Sequence, residues 1–216
     1  MTVKSNNETD TRQRVLEAAG EIIADKGFDK ATIREIVNRA GANLNAVNYY
    51  FRDKHGLYLA LFEHAHEIVT GKDRDQFDKH RDLPPEQQLR AIIAHILRGF
   101  ILARRAPWHT RLILREMTEP TGVLDEMVRR FIRPRFEQLT EIVRALAPPG
   151  TPDLTVRLCS ESVMAQCAHI AHRRVVIQRL IPELEYTAAG IEPMADHIAT
   201  FSLGALRDLP CKETSA

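Results

Sequence analysis

Apolar residues recur at intervals of three and four positions along most of the chain, the spacing of one face of an α-helix. The clearest early stripe lies between residues 11 and 26 and stops at Gly27, a residue type common just past a helix end. Its members are Val15, Leu16, Ala19, Ile22 and Ile23. Because no convincing run of strands appears, the pattern predicts an all-α fold.

Two short helices are predicted next. Thr32 has the side chain of a helix N-cap, and Glu35 three residues later completes a capping box. Gly41 ends this helix after about two turns. Asn43 is a second good N-cap, and it opens a segment that runs to about Phe51.

Prolines divide the rest of the chain into longer helices. Pro134 lies inside one of them, and we expect it to kink that helix rather than end it. The predicted helices cover residues 54–80, 85–105, 108–118, 123–147, 153–180 and 193–207.

The stretch from Thr32 to Leu61 has the organisation of a helix-turn-helix: two short helices joined by a glycine turn, followed by a long helix. In that motif the second helix enters the major groove of DNA. The apolar sides of the short helices are expected to pack on the first helix and form a three-helix headpiece. These inward positions are Ile33, Ile36, Val37, Ala40, Val47 and Phe51.

The outward side of the second short helix carries amides and a tyrosine in place of charges. An asparagine amide donates and accepts hydrogen bonds together, which suits contact with the edges of bases. The outward residues are Asn43, Asn45, Asn48 and Tyr49. The sequence therefore predicts that this side of the helix reads bases.

The charge of the whole chain is nearly balanced, with 30 Lys and Arg against 29 Asp and Glu. A nucleic-acid site must therefore depend on local placement of cations. Between residues 30 and 54, five basic side chains accompany two acidic ones. The basic residues are Lys30, Arg34, Arg39, Arg52 and Lys54. This arrangement favours cations that hold phosphates beside amides that read bases.

Residues 11–62 resemble the TetR family of bacterial transcription regulators. The resemblance is carried by the capped T-I-x-x-I-x-x-x-A-G turn from Thr32, the aromatic run Tyr49-Tyr50-Phe51, and Lys54. Asn48 departs from the family pattern, because many members carry a tyrosine there. Further on, the pairs Pro107-Trp108 and Arg115-Glu116 resemble a smaller branch associated with control of export and drug-response genes.

The resemblance implies a homodimer that binds a pseudo-palindromic double-stranded DNA operator, most simply as a repressor, and that responds to a small-molecule effector. Its helix-turn-helix domain would span residues 1–55, and a larger helical ligand-binding and dimerisation domain would span residues 56–216. Phosphate contacts fall on Thr32, Tyr49 and Lys54, and base reading falls on residues 43–48. The complete predicted DNA surface is Thr32, Arg34, Asn43, Leu44, Asn45, Ala46, Asn48, Tyr49 and Lys54.

The predicted helices at 153–180 and 193–207 carry more apolar residues than one core face needs. Such a surplus is buried when two copies of a helix pair form a twofold four-helix bundle. The surplus includes Leu154, Leu158, Val175, Val176, Ile198 and Phe201. We therefore expect these two segments to form the dimer interface.

The effector is expected among the middle helices, in a mainly apolar pocket with a few polar anchors. The spacing places Arg111 and Arg115 on the same inward face as Trp108, where an arginine needs a partner. That partner could be Glu116 or Glu119 within the protein, or an anionic or carbonyl-bearing ligand. This favours a mainly apolar ligand with an acceptor group. The predicted lining is Phe100, Trp108, Arg111, Leu112, Arg115, Phe131, Phe136, Gln166 and His169.

Other classes of function have less support. His169 and His172 lie three residues apart near Cys167, but no wider ligand pattern accompanies them, so neither a metal nor another cofactor is expected. The sequence contains no nucleophile elbow, Gly-rich phosphate loop or H-E-x-x-H pattern, so an enzyme is not predicted. A helical binding or adaptor module without DNA contact is the alternative, although it has no need for outward asparagines surrounded by cations.

The apolar runs are far shorter than the ~20 residues that a membrane span needs. The polar N-terminus has no apolar signal segment. Three cysteines form an odd and sparse set that suits a reducing compartment. We therefore expect a cytoplasmic protein with no membrane partner.

Overall fold

A computed structural model describes the backbone of residues 2–70, 80–102 and 107–209. Within these ranges the regular structure is helical and contains no strand, which confirms the all-α prediction. No helix among the described residues is long and apolar enough to cross a membrane. The helices are α1 (Thr2–Lys26), α2 (Ile33–Ala40), α3 (Asn45–Phe51), α4 (Lys54–Thr70), α5 (Pro85–Leu102), α6 (Pro107–Thr118), α7 (Leu124–Met127), α8 (Arg133–Leu146), α9 (Asp153–His172), α10 (Arg174–Leu180) and α11 (Ala188–Arg207).

The helices form two compact units that are interleaved in sequence. The first unit, called the headpiece unit here, contains Met1–Glu67 and Arg105–Phe131. The second, the C-terminal unit, contains Ile68–Arg104 and Ile132–Ala216. The helices α6 and α7 therefore pack with the three-helix headpiece. The functional boundary predicted after residue 55 is a different division and stays a prediction.

The core of the headpiece unit contains the apolar residues that the sequence placed inward. Ile36, Val37 and Ala40 of α2 are buried, as are Val47 and Phe51 of α3. They belong to one cluster with the predicted stripe of α1, and Ile33 packs partly buried against it. The three-helix headpiece is therefore built as predicted, by burial of one apolar side of each helix.

Local capping sets the limits of α2. The Thr32 hydroxyl accepts a hydrogen bond from the Glu35 backbone N–H at 3.2 Å, and the Glu35 carboxylate accepts one from the Thr32 backbone N–H at 3.2 Å. This is the predicted capping box. At the other end, Gly41 has φ 60° and ψ 38°, the left-handed conformation that ends many helices.

Prolines act differently in two of the later helices. Ahead of Pro134, Val128–Ile132 forms a π-helical turn, and α8 then begins at Arg133. The distortion expected at Pro134 therefore takes the form of a wider turn in an otherwise continuous helical segment. Pro193 does not begin its helix, because the Thr187 hydroxyl caps the chain earlier by accepting from Gly190 N–H at 3.4 Å.

The predicted helix at 153–180 is divided into α9 and α10. Arg173 lies between them with φ −95° and ψ 18°, outside the helical range. The predicted helices at 54–80 and 85–105 run through residues 71–79 and into residues 103–105, which lie outside the described residues.

The C-terminal unit has its own apolar core. Helix α5 packs against α8, α9 and α11, and α9 also packs against α8 and α11. The most deeply buried side chains include Leu89, Ile93, Leu97, Leu139, Val143, Cys167, Ile191 and Ile198. Burial raises the pKa of the Cys167 thiol to about 12, so this cysteine is a small apolar core residue.

Candidate nucleic-acid interface

Helix α3 presents two chemically different sides. Val47 and Phe51 are buried on the inner side. On the outer side Asn45 and Asn48 are exposed, and Tyr49 is 71% exposed. The inner side holds the helix on the headpiece, so the outer side is available to a partner, as the sequence predicted.

The residues before α3 are divided between capping and exposure. The Asn43 side-chain carbonyl accepts a hydrogen bond from Ala46 N–H at 3.0 Å, which is the predicted cap. Leu44 is 58% exposed although it is apolar. Ala46, which was included in the predicted DNA surface, is buried in the headpiece core. The exposed surface of this segment is therefore formed by Leu44 together with the amides and the tyrosine.

The exit from α3 is sharply constrained. Arg52 has a positive φ of 74°, which is uncommon for a side chain of this size. The Asp53 carboxylate then accepts a hydrogen bond from Gly56 N–H at 2.7 Å and caps α4. A Cβ atom on Gly56 would lie 2.0 Å from the Phe51 carbonyl oxygen, so only glycine fits there. These contacts fix the direction in which α3 leads into α4.

Lys54 lies at the start of α4 and is held in place. Its ammonium group is 4.5 Å from the centre of the Phe28 ring, within the range of a cation–π contact. The same group donates a hydrogen bond to the Asp29 backbone carbonyl at 3.3 Å. An ammonium group has three N–H donors, so Lys54 keeps donors for a further acceptor.

Two of the local charges are used within the headpiece. Arg39 forms an ion pair with Glu21, and Lys26 pairs with Glu35 at 2.6 Å. The hydrogen bond from Lys26 lowers the pKa of Glu35. Among the described residues, no acidic side chain pairs with the exposed Arg34. Arg34 and the partly exposed Lys54, the two cations of the predicted DNA surface, thus stay available to an anionic partner, and Lys30 and Arg52 are exposed beside them in sequence.

The residues predicted to bind an effector are divided between the two units. Phe100, Phe136, Gln166 and His169 belong to the C-terminal unit. There the Phe100 ring lies 5.5 Å from that of His172, the Gln166 amide donates to the Ser202 hydroxyl at 3.4 Å, and His169 is exposed. The others, Trp108, Arg111, Leu112, Arg115 and Phe131, belong to the headpiece unit.

Trp108 and Leu112 are core residues of the headpiece unit. Trp108 is 2% exposed, and its indole N–H donates to the Glu17 carboxylate at 3.1 Å. A Cβ atom on Gly20 would lie 2.4 Å from the indole ring, so α1 and α6 approach closely at this glycine. Leu112 is fully buried. These two side chains therefore join α6 to α1.

The prediction that Arg111 and Arg115 lie on the inward face of α6 was wrong. The buried stripe of α6 follows a spacing of four through Trp108, Leu112 and Glu116, and the two arginines lie beside it. Arg111 pairs with Asp25 at 2.7 Å, and Arg115 pairs with Glu119 at 2.9 Å. Both guanidinium groups thus have protein partners at the surface.

The described part of the C-terminal unit contains a small cavity that the sequence did not predict. Its volume is about 130 Å³, below the ~300–1,000 Å³ usual for drug-sized ligands. None of the predicted effector residues lines it. The lining residues are His80, Arg81, Pro85, Gln88, Ala91, Ile92, Gln138, Glu141, Ile142 and Ala145.

Two buried polar groups of the headpiece unit were missed by sequence reasoning. Glu116 is fully buried and accepts a hydrogen bond from the Tyr58 hydroxyl at 2.8 Å. His109 is 4% exposed, and neither of its ring nitrogens has a hydrogen-bond partner among the described residues. The four-residue spacing from Trp108 would have indicated burial of Glu116, but nothing local indicated its partner. The described residues contain no group of three ligands suited to a metal ion.

Two family models match the chain. One, for bacterial regulatory proteins of the tetR family, matches residues 15–61. The other, for the C-terminal domain of the HTH-type transcriptional dual regulator CecR, matches residues 85–206, more than half of the chain. The chain belongs to the TetR family. The family resemblance of residues 11–62 is therefore confirmed, and residues 85–206 are similar to the C-terminal domain of CecR.

Individual relatives agree with this assignment. CecR of Shigella flexneri is 27% identical over 153 residues, which cover 67% of either chain. The transcriptional repressor NicS of Pseudomonas putida is 30% identical over 95 residues, 44% of this chain and 43% of NicS. The fatty acid degradation regulator FadR of Bacillus halodurans has the same fold, with a TM-score of 0.62 and 16% identity over 90% of this chain and 99% of FadR. This TetR-family chain is accordingly a ligand-responsive, DNA-binding transcriptional regulator.

Proposed function

We propose that this protein is a dimeric, cytoplasmic repressor that binds a pseudo-palindromic operator and leaves it when a small-molecule effector binds. The observation that carries the proposal is the outer side of α3. That side is polar, exposed and uncharged, and it lies on a short helix whose other side is fixed in the headpiece core. The proposed repressor sense is the one in the name of NicS, whereas CecR is named a dual regulator.

The proposed contacts follow the chemistry of the exposed groups. Asn45 and Asn48 offer amides to base edges, and Leu44 offers an apolar surface to a thymine methyl group. Tyr49 and Lys54 lie on either side of the turn after α3 and are assigned to phosphate oxygens. The Thr32 hydroxyl accepts from Glu35 N–H at 3.2 Å and donates to the Glu35 carboxylate at 3.1 Å. Its proposed phosphate contact therefore requires that this proton turn from the carboxylate to a phosphate oxygen.

The dimer is proposed to form through α9 and α11. Leu154 and Leu158 of α9 are 69% and 58% exposed, and Phe201 of α11 is 64% exposed. A patch of large apolar side chains at a surface is typical of a protein interface, and we propose that these three belong to one. Operator binding then requires that the dimer present its two α3 helices to half-sites one helical turn apart, ~34–36 Å.

The response to the effector requires two states of the dimer. A ligand releases the operator only if it binds the state with wrongly separated α3 helices more tightly than the DNA-bound state. The candidates for the effector site are considered in each unit separately. They are Phe100, Phe136, Gln166 and His169 in the C-terminal unit, and Arg111, Arg115 and Phe131 in the headpiece unit, where Trp108 and Leu112 are core residues. Because Trp108 is the single tryptophan of the chain, its fluorescence reports a change in its surroundings.

Footprinting on DNA that flanks the gene of this protein tests the proposal, with and without a panel of small molecules. The variants Asn45→Ala and Asn48→Ala should lose protection of the site. Asn38→Ala is the matched control, because Asn38 is an exposed asparagine on α2, outside the predicted DNA surface. A footprint that all three variants share with the wild type would contradict base reading by α3.

A further inference from the structure

Glu116 of α6 is a fully buried carboxylate. Its oxygens accept hydrogen bonds from the Tyr58 hydroxyl at 2.8 Å, the Thr121 backbone N–H at 2.9 Å and the Thr121 hydroxyl at 2.9 Å. A buried charge is tolerated only where such donors replace water. Glu116 therefore holds α4 and the segment after α6 in one arrangement.

Tyr58 takes part in this contact as a donor. Burial, with the neighbouring Glu116 carboxylate, raises the pKa of Tyr58 well above its usual range. The hydroxyl therefore stays protonated and keeps donating. Since Tyr58 is only 1% exposed, its ring is also fixed by packing.

The ring of Tyr58 contacts Phe28, which in turn contacts Lys54 of the predicted DNA surface. Its centre lies 4.7 Å from that of Phe28, with the ring planes 33° apart. Phe28 follows α1, and the Lys54 ammonium lies 4.5 Å from the centre of its ring. A continuous line of contacts thus runs from Glu116 of α6 through Tyr58 and Phe28 to Lys54, all within the headpiece unit.

We infer that Glu116, Tyr58 and Phe28 are positioning residues for Lys54, and that through them the position of α6 sets the strength of the Lys54 contact with operator phosphate. This inference rests on the proposed function, because it assigns Lys54 to the operator. A shift of α6 withdraws the acceptor of Tyr58, which loosens the ring that supports Phe28. The ammonium group then spends more time away from the phosphate.

A double-mutant cycle on operator affinity tests the inference. Phe28→Leu removes the ring beneath the ammonium and should weaken operator binding about threefold, the size of an exposed cation–π contact. Lys54→Ala should weaken it by roughly fivefold to tenfold and lower the salt slope by about one unit. In the Lys54→Ala background, Phe28→Leu should have no further effect.

Phe131→Leu is the matched control, since Phe131 is also partly buried against the headpiece core. Its effect should be the same with Lys54 or Ala at position 54. A Phe28→Leu effect that is equally independent of position 54 would mean that Phe28 only stabilises the core, and it would overturn the inference.

Tyr58→Phe provides a second variant that keeps the ring and removes the hydroxyl alone. It should weaken operator binding about twofold with Lys54 present and not at all with Ala at position 54. An equal effect in both backgrounds overturns the link to Glu116. If the wild type binds no operator, the proposed function fails. If Asn45→Ala weakens binding and Lys54→Ala does not, the function stands and the inference fails.

Discussion

Helices α3 and α6 belong to the same compact unit but use their predicted functional residues in opposite ways. On α3, Asn45, Asn48 and Tyr49 are exposed and contribute little to the core. On α6, Trp108 is buried against α1 and Arg111 pairs with Asp25. A substitution on α3 should therefore change recognition, whereas a substitution on α6 should first change stability.

The largest expected effect lies on α6. Trp108→Ala removes a buried ring and the hydrogen bond to Glu17, and should lower the free energy of unfolding by about 3–5 kcal/mol. Denaturant unfolding followed by circular dichroism measures this loss. Leu114→Ala, at an exposed position of the same helix, is the control and should change stability by less than about 0.5 kcal/mol. Equal losses in the two variants would remove the contrast between the helices.

The second effect concerns the proposed dimer surface on α9 and α11. This surface is exposed, like the outer side of α3, but its side chains are apolar. Phe201→Glu places a charge on that surface and should disfavour association by several kcal/mol. Sedimentation should then show monomers with weaker operator affinity. Met117→Glu, at an exposed apolar position of α6, should stay dimeric. Ile198 is unsuitable for this test because it is 1% exposed, in the core of the C-terminal unit. A dimeric Phe201→Glu would place the interface elsewhere.

The third effect lies on α3 itself. Asn45→Ala and Asn48→Ala should each cost about 1–3 kcal/mol at particular base pairs and leave the free energy of unfolding nearly unchanged. Selection of binding sites from random DNA would show an altered preferred sequence. A uniform loss of affinity with the same preferred sequence would make these asparagines contacts to the DNA backbone.

The fourth effect is a pH dependence of the headpiece unit. Burial, with the nearby His64 acting in the same direction, lowers the pKa of His109 from 6.5 to about 4, although Glu17 opposes this shift. Between these values the unfolded chain binds a proton that the folded chain does not. The contribution of His109 to the free energy of unfolding is therefore fully present above pH 6.5 and is lost on acidification toward pH 4, by on the order of 1–3 kcal/mol.

The variant His109→Phe keeps a ring beside Trp108 and removes the titrating group. Thermal unfolding between pH 7 and pH 4 should show a smaller loss of stability for this variant than for the wild type. His95 of the C-terminal unit, whose pKa burial also lowers to about 4, should contribute its own share in both proteins. Identical pH profiles would show that His109 does not titrate in this way.

The smallest effect concerns the arginines of α6. Arg115→Ala removes a surface ion pair with Glu119 and should cost less than about 1 kcal/mol of stability. Operator affinity should be kept, and the effector response should be lost if Arg115 holds an acceptor group of the ligand. Effector-induced release from the operator is measured for both Arg115→Ala and Arg111→Ala. The comparison shows which of the two arginines the response requires. An unchanged response in both variants would move the effector site away from α6.

The sequence alone determined the helix-turn-helix and much of the predicted DNA surface, because the interactions that build them are local. The capping box joins Thr32 to Glu35, the turn needs only Gly41, and the cap of α3 joins Asn43 to Ala46. Each partner lies within a few residues, so the pattern of side chains indicates the contact. The sides of α3 follow from helical periodicity in the same way.

Tertiary structure decided which unit α6 belongs to and what its side chains do. Trp108 donates a hydrogen bond to Glu17, and Tyr58 donates one to Glu116, between residues far apart in sequence. The spacing of apolar residues predicted that α6 has a buried side, but several helices could have covered that side. In the folded chain the partners are α1 and α4. Burial of apolar surface is favourable against any suitable helix, so it does not specify the partner. Close packing does, as at Gly20, where α1 approaches the Trp108 ring.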